Sequence, residues 1–381
     1  MQVALKLAER GLGKTSPNPS VGAVLIRNNK IIGRGFHRAA GLPHAEIEAI
    51  KNCRENIRGA TLFVTLEPCN HIGRTQPCTK SILQAGIKTV VFGSRDPNLE
   101  VEGRGGDFLK KNGIEVRRAL EKECDDFLKP WKIFITKKRP FVILKMAISS
   151  DGKITASQGK RYILNELALK EVHHLRTQGD AILVGAGTVR SDNPELTTRL
   201  VQGKNPLRVI LDSRLALSSK AKVFNCESSP NASGKNQKLE MMNQELSPDA
   251  SEKNKDGEIQ DSKLKNINAL VVTTSLVSKT RQALFNKQGI EIFLAGKKEV
   301  DLKKLLLELG RRDIATLLVE GGAQVAENFL RQKLVDRLMI FISPAISGPQ
   351  AKTLLSPLPI CGAETKFKFF GEDLLLVQDL I

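Results

Sequence analysis

Apolar and polar residues recur along the first third of the chain in the pattern of alternating strands and helices. The segments 21–26 and 31–36 are β-rich and flank Asn28-Asn29, which is a hairpin signal. Helical spacing marks the opening residues, then 44–52 and 79–85, and strand-like runs occupy 60–66 and 89–92. This order predicts an α/β domain with helices packed on a sheet.

A second α/β region begins near Pro140. Its strand-like segments are 141–146, 181–184, 207–211, 269–273, 316–319 and 337–342, and its helical segments are 164–176, 302–309 and 323–332. At 381 residues the chain exceeds one typical core, and the basic stretch 137–140 is a plausible join. We therefore predict domains at 1–138 and 140–381.

The composition changes sharply at 226–268, where Ser, Asn, Lys, Glu, Asp and Gln dominate. Such a segment has few apolar residues, so hydrophobic burial cannot offset the conformational entropy that the segment would lose on ordering. It is predicted to be a disordered surface insertion in the second domain.

Hydrophobic residues make up 41% of the chain, but no run of eighteen apolar residues occurs, so no membrane span is expected. The start lacks the features of a signal peptide, which favours a cytoplasmic protein. Six cysteines in so long a chain do not suggest a disulfide framework. Cys53, Cys124, Cys226 and Cys361 have no motif around them and are interpreted as ordinary thiols.

The chain carries 59 basic and 41 acidic residues, a net charge of +18. Aromatic residues amount to 4% and the basic ones are spread throughout, whereas binders of single-stranded nucleic acid interleave the two kinds. The charge therefore favours either a phosphorylated small molecule as partner or a role in solubility alone over nucleic acid.

The main chemical motif is His44-Ala45-Glu46 followed by Glu67-Pro68-Cys69 and Cys78. One histidine and two cysteines give zinc three protein ligands and leave a fourth position for water, as catalytic zinc requires. Glu46 is not a ligand in this reading; it would shuttle protons. A helix start at 44 would favour negative charge, and a second one at 79, directly after Cys78, would favour a low thiol pKa.

The residues alone leave alternatives open, because the zinc-deaminase signature has two residues between its cysteines and this chain has eight. His71 could complete a closed four-ligand structural zinc site. His44 and the cysteines could also be ordinary core residues.

The surrounding residues resemble the bifunctional deaminase–reductase family of riboflavin biosynthesis. The likeness rests on the segments 18–22, 35–37, 40–46 and 65–78, and in that family the cysteines enclose the same long loop. Asn70 and Gln76 replace the usual serine and proline. The resemblance implies a cytidine-deaminase-like three-layer domain at the N-terminus, with zinc on His44, Cys69 and Cys78 and with Glu46 as the catalytic residue.

The resemblance continues in the second half, at 145–153, 175–176, 187–194, 196–199, 211–213 and 319–323. It implies a dihydrofolate-reductase-like domain that uses NADPH. The residues matching cofactor contacts are Ala147, Tyr162, Thr188, Asp192, Ser213, Gly322, Ala323, Gln324, Val325, Ala326, Glu327 and Asn328. Those matching contacts to the sugar-phosphate substrate are Arg176, Leu196, Arg199 and Glu320. Lys160 stands where the family has a serine, so that hydroxyl is missing from the expected phosphate contacts.

By this resemblance the chain would deaminate 2,5-diamino-6-(ribosylamino)pyrimidinone 5′-phosphate and then reduce its ribosyl group to ribityl with NADPH. The alternatives are a zinc deaminase of bases in nucleic acid and a deaminase whose reductase half is inactive. The sequence leaves the oligomeric state open, and a homo-oligomer is compatible with it.

Overall fold

The computed structural model describes residues 1–71, 76–97, 105–156, 162–225, 268–353 and 364–380. The predicted insertion lies outside these ranges apart from Asn268, so its expected disorder stays a prediction. Cys226, Cys361 and Lys160 also lie outside the described residues.

The chain divides into two compact units. The first comprises residues 1–142 and 306–317, and the second comprises 143–305 and 318–381. Each unit is built around its own hydrophobic clusters. The limits 1–138 and 140–381 remain our proposal for the functional domains.

The helices and strands alternate as the hydrophobic pattern suggests. The described helices are α1 (Gln2–Glu9), α2 (Ala45–Lys51), α3 (Cys78–Gln84), α4 (Gly105–Lys111), α5 (Glu121–Lys137), α6 (Glu166–Gln178), α7 (Ala186–Asp192), α8 (Lys222–Asn225), α9 (Lys279–Asn286), α10 (Leu302–Arg311) and α11 (Ala323–Arg331). The described strands are β1 (Gly22–Arg27), β2 (Lys30–Phe36), β3 (Thr61–Leu66), β4 (Thr89–Ser94), β5 (Glu115–Arg118), β6 (Phe141–Ser149), β7 (Ala181–Gly185), β8 (Leu207–Leu211), β9 (Ala269–Thr273), β10 (Glu291–Leu294), β11 (Thr316–Val319), β12 (Arg337–Ser343), β13 (Lys366–Phe370) and β14 (Asp373–Asp379).

The first sheet has five strands among the described residues, in the order β2-β1-β3-β4-β5. β1 runs antiparallel to both β2 and β3, whereas β3, β4 and β5 are parallel. The predicted hairpin is confirmed: Asn28 and Asn29 join β1 to β2 with φ of 50° and 58°. Asparagine tolerates this left-handed backbone better than most residues, which explains the pair in the turn.

Helices cover both faces of this sheet. Ala23 and Leu25 of β1 share a face with Leu62 and Val64 of β3 and belong to the cluster that includes Ala45 of α2. On the other face α1 packs on Val24. The α5 helix reaches that face too, since Cys124 lies against Gly93 of β4. The result is a helix–sheet–helix arrangement of three layers.

The second sheet has nine described strands in the order β10-β9-β8-β7-β11-β6-β12-β14-β13. The run from β7 through β8 and β9 to β10 is parallel, and β12 is parallel to β6. The last two strands, β14 and β13, are antiparallel additions at one edge. Parallel strands place their carboxyl ends along one rim, where ligands of such sheets bind.

Several elements escaped the sequence prediction because their patterns conflict with simple periodicity. The α5 helix contains Pro130 and many charged residues, yet one buried stripe that includes Cys124, Leu128 and Phe134 anchors it. β13 is an exposed edge strand with both faces accessible, so it lacks the alternation that marks a half-buried strand. In the part of the chain described, no helix combines the length and hydropathy needed to cross a bilayer.

Gly35 allows α2 to lie directly on β2, because a Cβ at this position would clash with Ala45 O and Ala49 N. We predict that Gly35→Ala lowers the free energy of unfolding of the first unit by about 1–3 kcal/mol, as expected for overpacking. Urea unfolding followed by Trp131 measures this, since Trp131 is the single tryptophan and packs in the first unit. Gly113→Asn is the control, because Gly113 has no neighbour within 4 Å and a left-handed φ of 82° that asparagine tolerates. An equal effect of both substitutions would contradict the explanation.

Candidate metal centre and a second polar site

Three candidate ligands come together where two helices begin beside β3. His44 is the N-cap of α2, and Cys78 is the first residue of α3 rather than the residue before it. Cys69 follows β3 by three residues. Their ligand atoms all lie within 4.8 Å of one another, and among the described residues this is the one such cluster of His, Cys, Asp or Glu.

The spacing fits a tetrahedral zinc ion. His44 Nδ1 lies 3.5 Å from Cys69 Sγ and 3.3 Å from Cys78 Sγ. Two ligands of a tetrahedral zinc ion with ordinary Zn–N and Zn–S bond lengths are separated by roughly 3.6 Å. His71 is exposed and lies outside this cluster, so it does not complete a four-ligand site.

The protonation of the three groups is coupled. Hydrogen bonding from Cys78 and His44 lowers the pKa of Cys69 to about 4, whereas the same hydrogen bond to Cys69, together with burial, raises the pKa of Cys78 well above its usual value. Hydrogen bonding to Cys69 raises the pKa of His44 to about 9. Without metal at neutral pH, the cluster thus holds one thiolate, one thiol and an imidazolium.

Glu46 lies in the first turn of α2 and is buried. Burial raises its pKa to about 6, against the attraction of His44. Its carboxylate accepts a hydrogen bond from the Cys78 thiol. Glu46 therefore lies beside the three candidate ligands but is not itself part of the ligand cluster. A buried carboxyl with a pKa near neutrality suits proton transfer.

A second histidine supports the first. His37 is buried; its Nδ1 donates to Pro43 O at 3.1 Å, and its Nε2 faces Asn18 Nδ2 at 3.2 Å. The His37 ring meets the His44 ring edge-on, with centroids 5.4 Å apart. The hydrogen bond to Pro43 therefore fixes the backbone immediately before His44, which limits how far the His44 side chain can move.

Glu67 supports the Cys69 side of the site. This buried carboxylate follows β3 and accepts the backbone N–H of Gly106 at 2.9 Å and that of Asp96 at 3.4 Å. Gly105 lets the start of α4 approach Pro68 closely, because a Cβ there would clash with Pro68 O. Glu67 and Gly105 thereby fix the backbone that leads into Cys69.

A second polar site lies in the other unit, around the ion pair of Arg176 and Glu320. Arg176 Nε and Nη2 donate to the two carboxylate oxygens of Glu320 at 2.8 and 2.9 Å. Both side chains are largely buried, with 12% and 8% exposed. Burial opposes ionisation of Glu320, but the charge and hydrogen bonds of Arg176 outweigh it and lower the pKa of Glu320 to about 2.

Two further ionisable groups surround this pair. Lys145 of β6 is partly buried, and burial lowers its pKa, while Glu320 partly offsets the effect. His173 of α6 is buried with Nε2 3.4 Å from Arg176 Nη1. Burial, then Arg176 and Arg199, lower the pKa of His173 to about 4, so its ring is neutral at neutral pH.

The other two residues expected at the sugar phosphate, Leu196 and Arg199, lie on one segment after α7. Leu196 is buried with a φ of 57°, and its side chain belongs to the hydrophobic core, so only its backbone is available to a ligand. Arg199 is partly exposed and lies 3.8 Å from Glu195. Arg176 Nη1 donates to Thr197 O at 3.0 Å, which connects this segment to the ion pair.

The expected cofactor contacts gather partly at the start of α11. Gly322 is its N-cap, and the Gly322 N–H donates to Thr188 Oγ1 of α7 at 3.0 Å. Close approach of the two elements requires Gly185, because a Cβ there would crowd the Val325 side chain of α11, and a Cβ on Gly321 would crowd the same side chain. The start of a helix whose first-turn amides lack intrahelical partners suits a phosphate or pyrophosphate.

The remaining expected cofactor residues lie on neighbouring strands and loops. Ala147 is in β6 and Ser213 follows β8, while Asp192 ends α7 and is exposed. Tyr162 is 42% exposed. Gln324 is exposed, Ala326 is buried and Asn328 Oδ1 accepts from Arg331.

The sequence patterns gave no role to His37, Glu67, Lys145 or His173. Two of them carry a local signal: Lys145 interrupts the apolar strand 141–149, and His173 precedes Arg176 by one helical turn. Charged or polar residues inside an otherwise buried pattern are candidates for a site. Glu67 and His37 show their roles only through partners distant in sequence.

Two family models match the chain. The cytidine and deoxycytidylate deaminase zinc-binding region matches residues 1–94, and the RibD C-terminal domain matches residues 140–375. The first match includes the whole His44, Cys69 and Cys78 cluster, and the second includes Arg176 and Glu320. The likeness thus covers both polar sites.

Similar whole proteins span nearly the same length. The riboflavin biosynthesis protein RibD of Aquifex aeolicus (strain VF5) is 37% identical over 91% of this chain and 87% of its own length. That of Actinobacillus pleuropneumoniae is 36% identical over 99% of this chain and 93% of its own.

Solved structures show the same architecture. A diaminohydroxyphosphoribosylaminopyrimidine deaminase/5-amino-6-(5-phosphoribosylamino)uracil reductase from Thermotoga maritima is 36% identical, with a TM-score of 0.78 over 100% of this chain and 97% of the other. Acinetobacter baumannii RibD is 28% identical, with a TM-score of 0.75 over 99% and 96%. The predicted α/β class, with a cytidine-deaminase-like N-terminal part and a reductase part after it, is confirmed.

Zinc binding is predicted to release about two protons per ion at pH 7, because metal ligands must be deprotonated. One would come from His44 and one from Cys78, whose pKa values are raised, whereas Cys69 is already ionised. As the pH rises through about 9, the His44 proton is lost beforehand and the release falls toward one. Calorimetric zinc titrations of the metal-free protein in buffers of different ionisation enthalpy measure this number. Release near zero at pH 7 would contradict the assigned protonation states.

Proposed function

The chain belongs to the RibD family of bifunctional riboflavin-biosynthesis enzymes, and from this premise we propose how its residues divide the work. It has a zinc-dependent deaminase part and an NADPH-dependent reductase part. The observation that carries the proposal is the clustering of His44 Nδ1, Cys69 Sγ and Cys78 Sγ beside the buried Glu46.

The proposed first reaction is hydrolysis of the 2-amino group of 2,5-diamino-6-(ribosylamino)pyrimidinone 5′-phosphate. Water oxygen bonds to the ring carbon, the carbon–nitrogen bond breaks, and ammonia leaves. Zinc held by the three ligands would lower the pKa of the attacking water and so make it nucleophilic at neutral pH.

Glu46 handles the protons in this proposal. Its carboxylate takes a proton from the attacking water, delivers one to the ring nitrogen and then one to the departing amine. A pKa of about 6 in the metal-free site allows both acceptance and donation near neutral pH. A cation at the ligands would favour the ionised carboxylate, the form that accepts the first proton.

The proposed second reaction reduces the ribosyl group to ribityl, with NADPH supplying the hydride to C1′. The start of α11 with Thr188 would hold the cofactor phosphates, and Ala147, Tyr162, Asp192, Ser213 and the residues from Gly322 to Asn328 would complete its site. Arg176, Leu196, Arg199 and Glu320 would form the sugar-phosphate site. Arginine suits a phosphate because its planar fork donates two parallel hydrogen bonds.

The small-molecule pyrimidine substrate also fits the charge distribution of the sequence. We propose that the enzyme acts in the cytoplasm on the free nucleotide rather than on nucleic acid, with domains at 1–138 and 140–381. Family membership over both halves favours this reading over a nucleic-acid deaminase and over a chain with an inactive reductase half.

Glu46→Gln is predicted to retain one zinc ion and to lower the rate of ammonia release by about 10²–10⁴-fold, the usual contribution of a general acid–base group. Reduction of separately deaminated substrate by the same preparation should be unchanged. Glu48→Gln is the matched control on the same helix, since Glu48 pairs with the exposed Arg38. Metal analysis and an ammonia assay are the measurements. Full deamination by Glu46→Gln would refute the assigned role.

Thr188→Val removes the acceptor of the Gly322 N–H and is predicted to raise the KM for NADPH roughly 2- to 12-fold, the effect of one hydrogen bond. Thr188→Ser keeps the hydroxyl and should restore most of the affinity. Steady-state NADPH oxidation with deaminated substrate measures both variants, and zinc-dependent ammonia release serves as the internal control. A KM for NADPH that is the same in Thr188→Val and wild type would argue against a cofactor site at α11.

A further inference from the structure

The segment that carries Arg199 has a buried backbone and an exposed tip. Thr197 and Thr198 are buried, whereas 42% of the Arg199 side chain is exposed. Its ion pair with Glu195, at 3.8 Å, is also exposed and therefore contributes little to holding the guanidinium in place. The position of Arg199 thus depends on how its backbone is anchored.

Two side chains of α6 anchor that backbone on the two sides of Arg199. Arg176 Nη1 donates to Thr197 O at 3.0 Å, and the Leu200 N–H donates to His173 Nδ1 at 3.4 Å. His173 and Arg176 are three residues apart and so lie on the same face of the helix, with His173 Nε2 3.4 Å from Arg176 Nη1.

The chemistry of the second anchor requires a neutral histidine. A backbone N–H can only donate, so His173 Nδ1 must present a lone pair to Leu200, and the hydrogen of the neutral ring lies on Nε2. The 3.4 Å approach of Nε2 to Arg176 Nη1 is then a contact between two donors and not a hydrogen bond. A protonated ring would lose that lone pair and would add a third positive charge beside Arg176 and Arg199. Burial and these two arginines lower the pKa of His173 to about 4 against the opposing effects of Glu320 and of a hydrogen bond to the Thr198 backbone, so the ring is neutral at neutral pH.

The two arginines of this group have different freedom. Arg176 is largely buried and already donates to both oxygens of Glu320 and to Thr197 O. Arg199 retains an exposed guanidinium. Of the two, Arg199 is the one placed to meet an incoming phosphate, and Arg176 serves it by fixing the neighbouring backbone.

We propose that His173 is a positioning residue of the reductase: it fixes the backbone at Leu200 while Arg176 fixes it at Thr197, so that Arg199 is held ready for the substrate phosphate. This inference rests on the proposed function, because it takes the reductase substrate to carry a phosphate. It concerns substrate affinity and not hydride transfer.

His173→Leu removes the acceptor with a side chain of similar bulk. The expected result is a KM for the deaminated ribosylaminopyrimidine phosphate raised roughly 2- to 12-fold, with kcat and the KM for NADPH unchanged, since only ground-state binding is affected. His173→Asn, whose side-chain oxygen can replace Nδ1, should recover most of the loss. His174→Leu is the matched control, because His174 is the adjacent, exposed residue of α6.

Two comparisons separate positioning of Arg199 from a general loss of structure. In an Arg199→Ala background, His173→Leu should add little to the KM, because the two substitutions disrupt one interaction. With the dephosphorylated substrate, wild type and His173→Leu should have equal kcat/KM.

The outcomes are distinct for the two levels of the proposal. If the wild-type chain oxidises no NADPH with this substrate, the proposed function fails. If wild type is active and His173→Leu leaves the substrate KM unchanged, or raises it equally for the dephosphorylated compound, the positioning role is wrong. Equal losses in His173→Asn and His173→Leu would also overturn it, and so would additive effects with Arg199→Ala.

Discussion

The cost of holding ionisable groups away from water governs both sites of this chain. In the first unit Glu46, Cys78 and much of His44 and Cys69 are buried, and they are tolerated because each one has a partner within the cluster. In the second unit Arg176 and Glu320 compensate each other through two parallel hydrogen bonds. Removing one member of such a group leaves another charge buried and unpaired, which is costly.

The two units meet this requirement with different chemistry. The cysteine and histidine cluster holds protons that a metal ion can displace. The negative charge of its thiolates would then be compensated by an ion and not by another side chain. The arginine–glutamate pair is complete in itself and needs no ion. It can therefore act as a rigid support on which a more exposed cation, Arg199, is carried. The proposed metal chemistry and the proposed phosphate recognition would thus depend on two different ways of compensating buried ionisable groups.

Close backbone approach places these groups. Gly35 brings α2, with His44 and Glu46, onto the sheet, and Gly105 brings the start of α4 to the residue before Cys69. In the second unit Gly185 and Gly321 admit Val325 at the junction of α7 and α11. A side chain at Gly35 or Gly105 would clash with backbone atoms and push these elements apart, whereas one at Gly185 or Gly321 would crowd the Val325 side chain.

The sequence by itself determined the α/β class, the order of most strands and helices, and the identity of His44, Glu46, Cys69 and Cys78 as a chemical group. These follow from local patterns: hydrophobic period, turn residues and a motif whose members lie near helix starts. Only the tertiary structure decided which polar side chains compensate one another. Asn18 with His37, Glu67 with Gly106, and His173 with Leu200 are separated by 19, 39 and 27 residues. Such pairings depend on how the strands and helices fold back on one another, and no local periodicity encodes that.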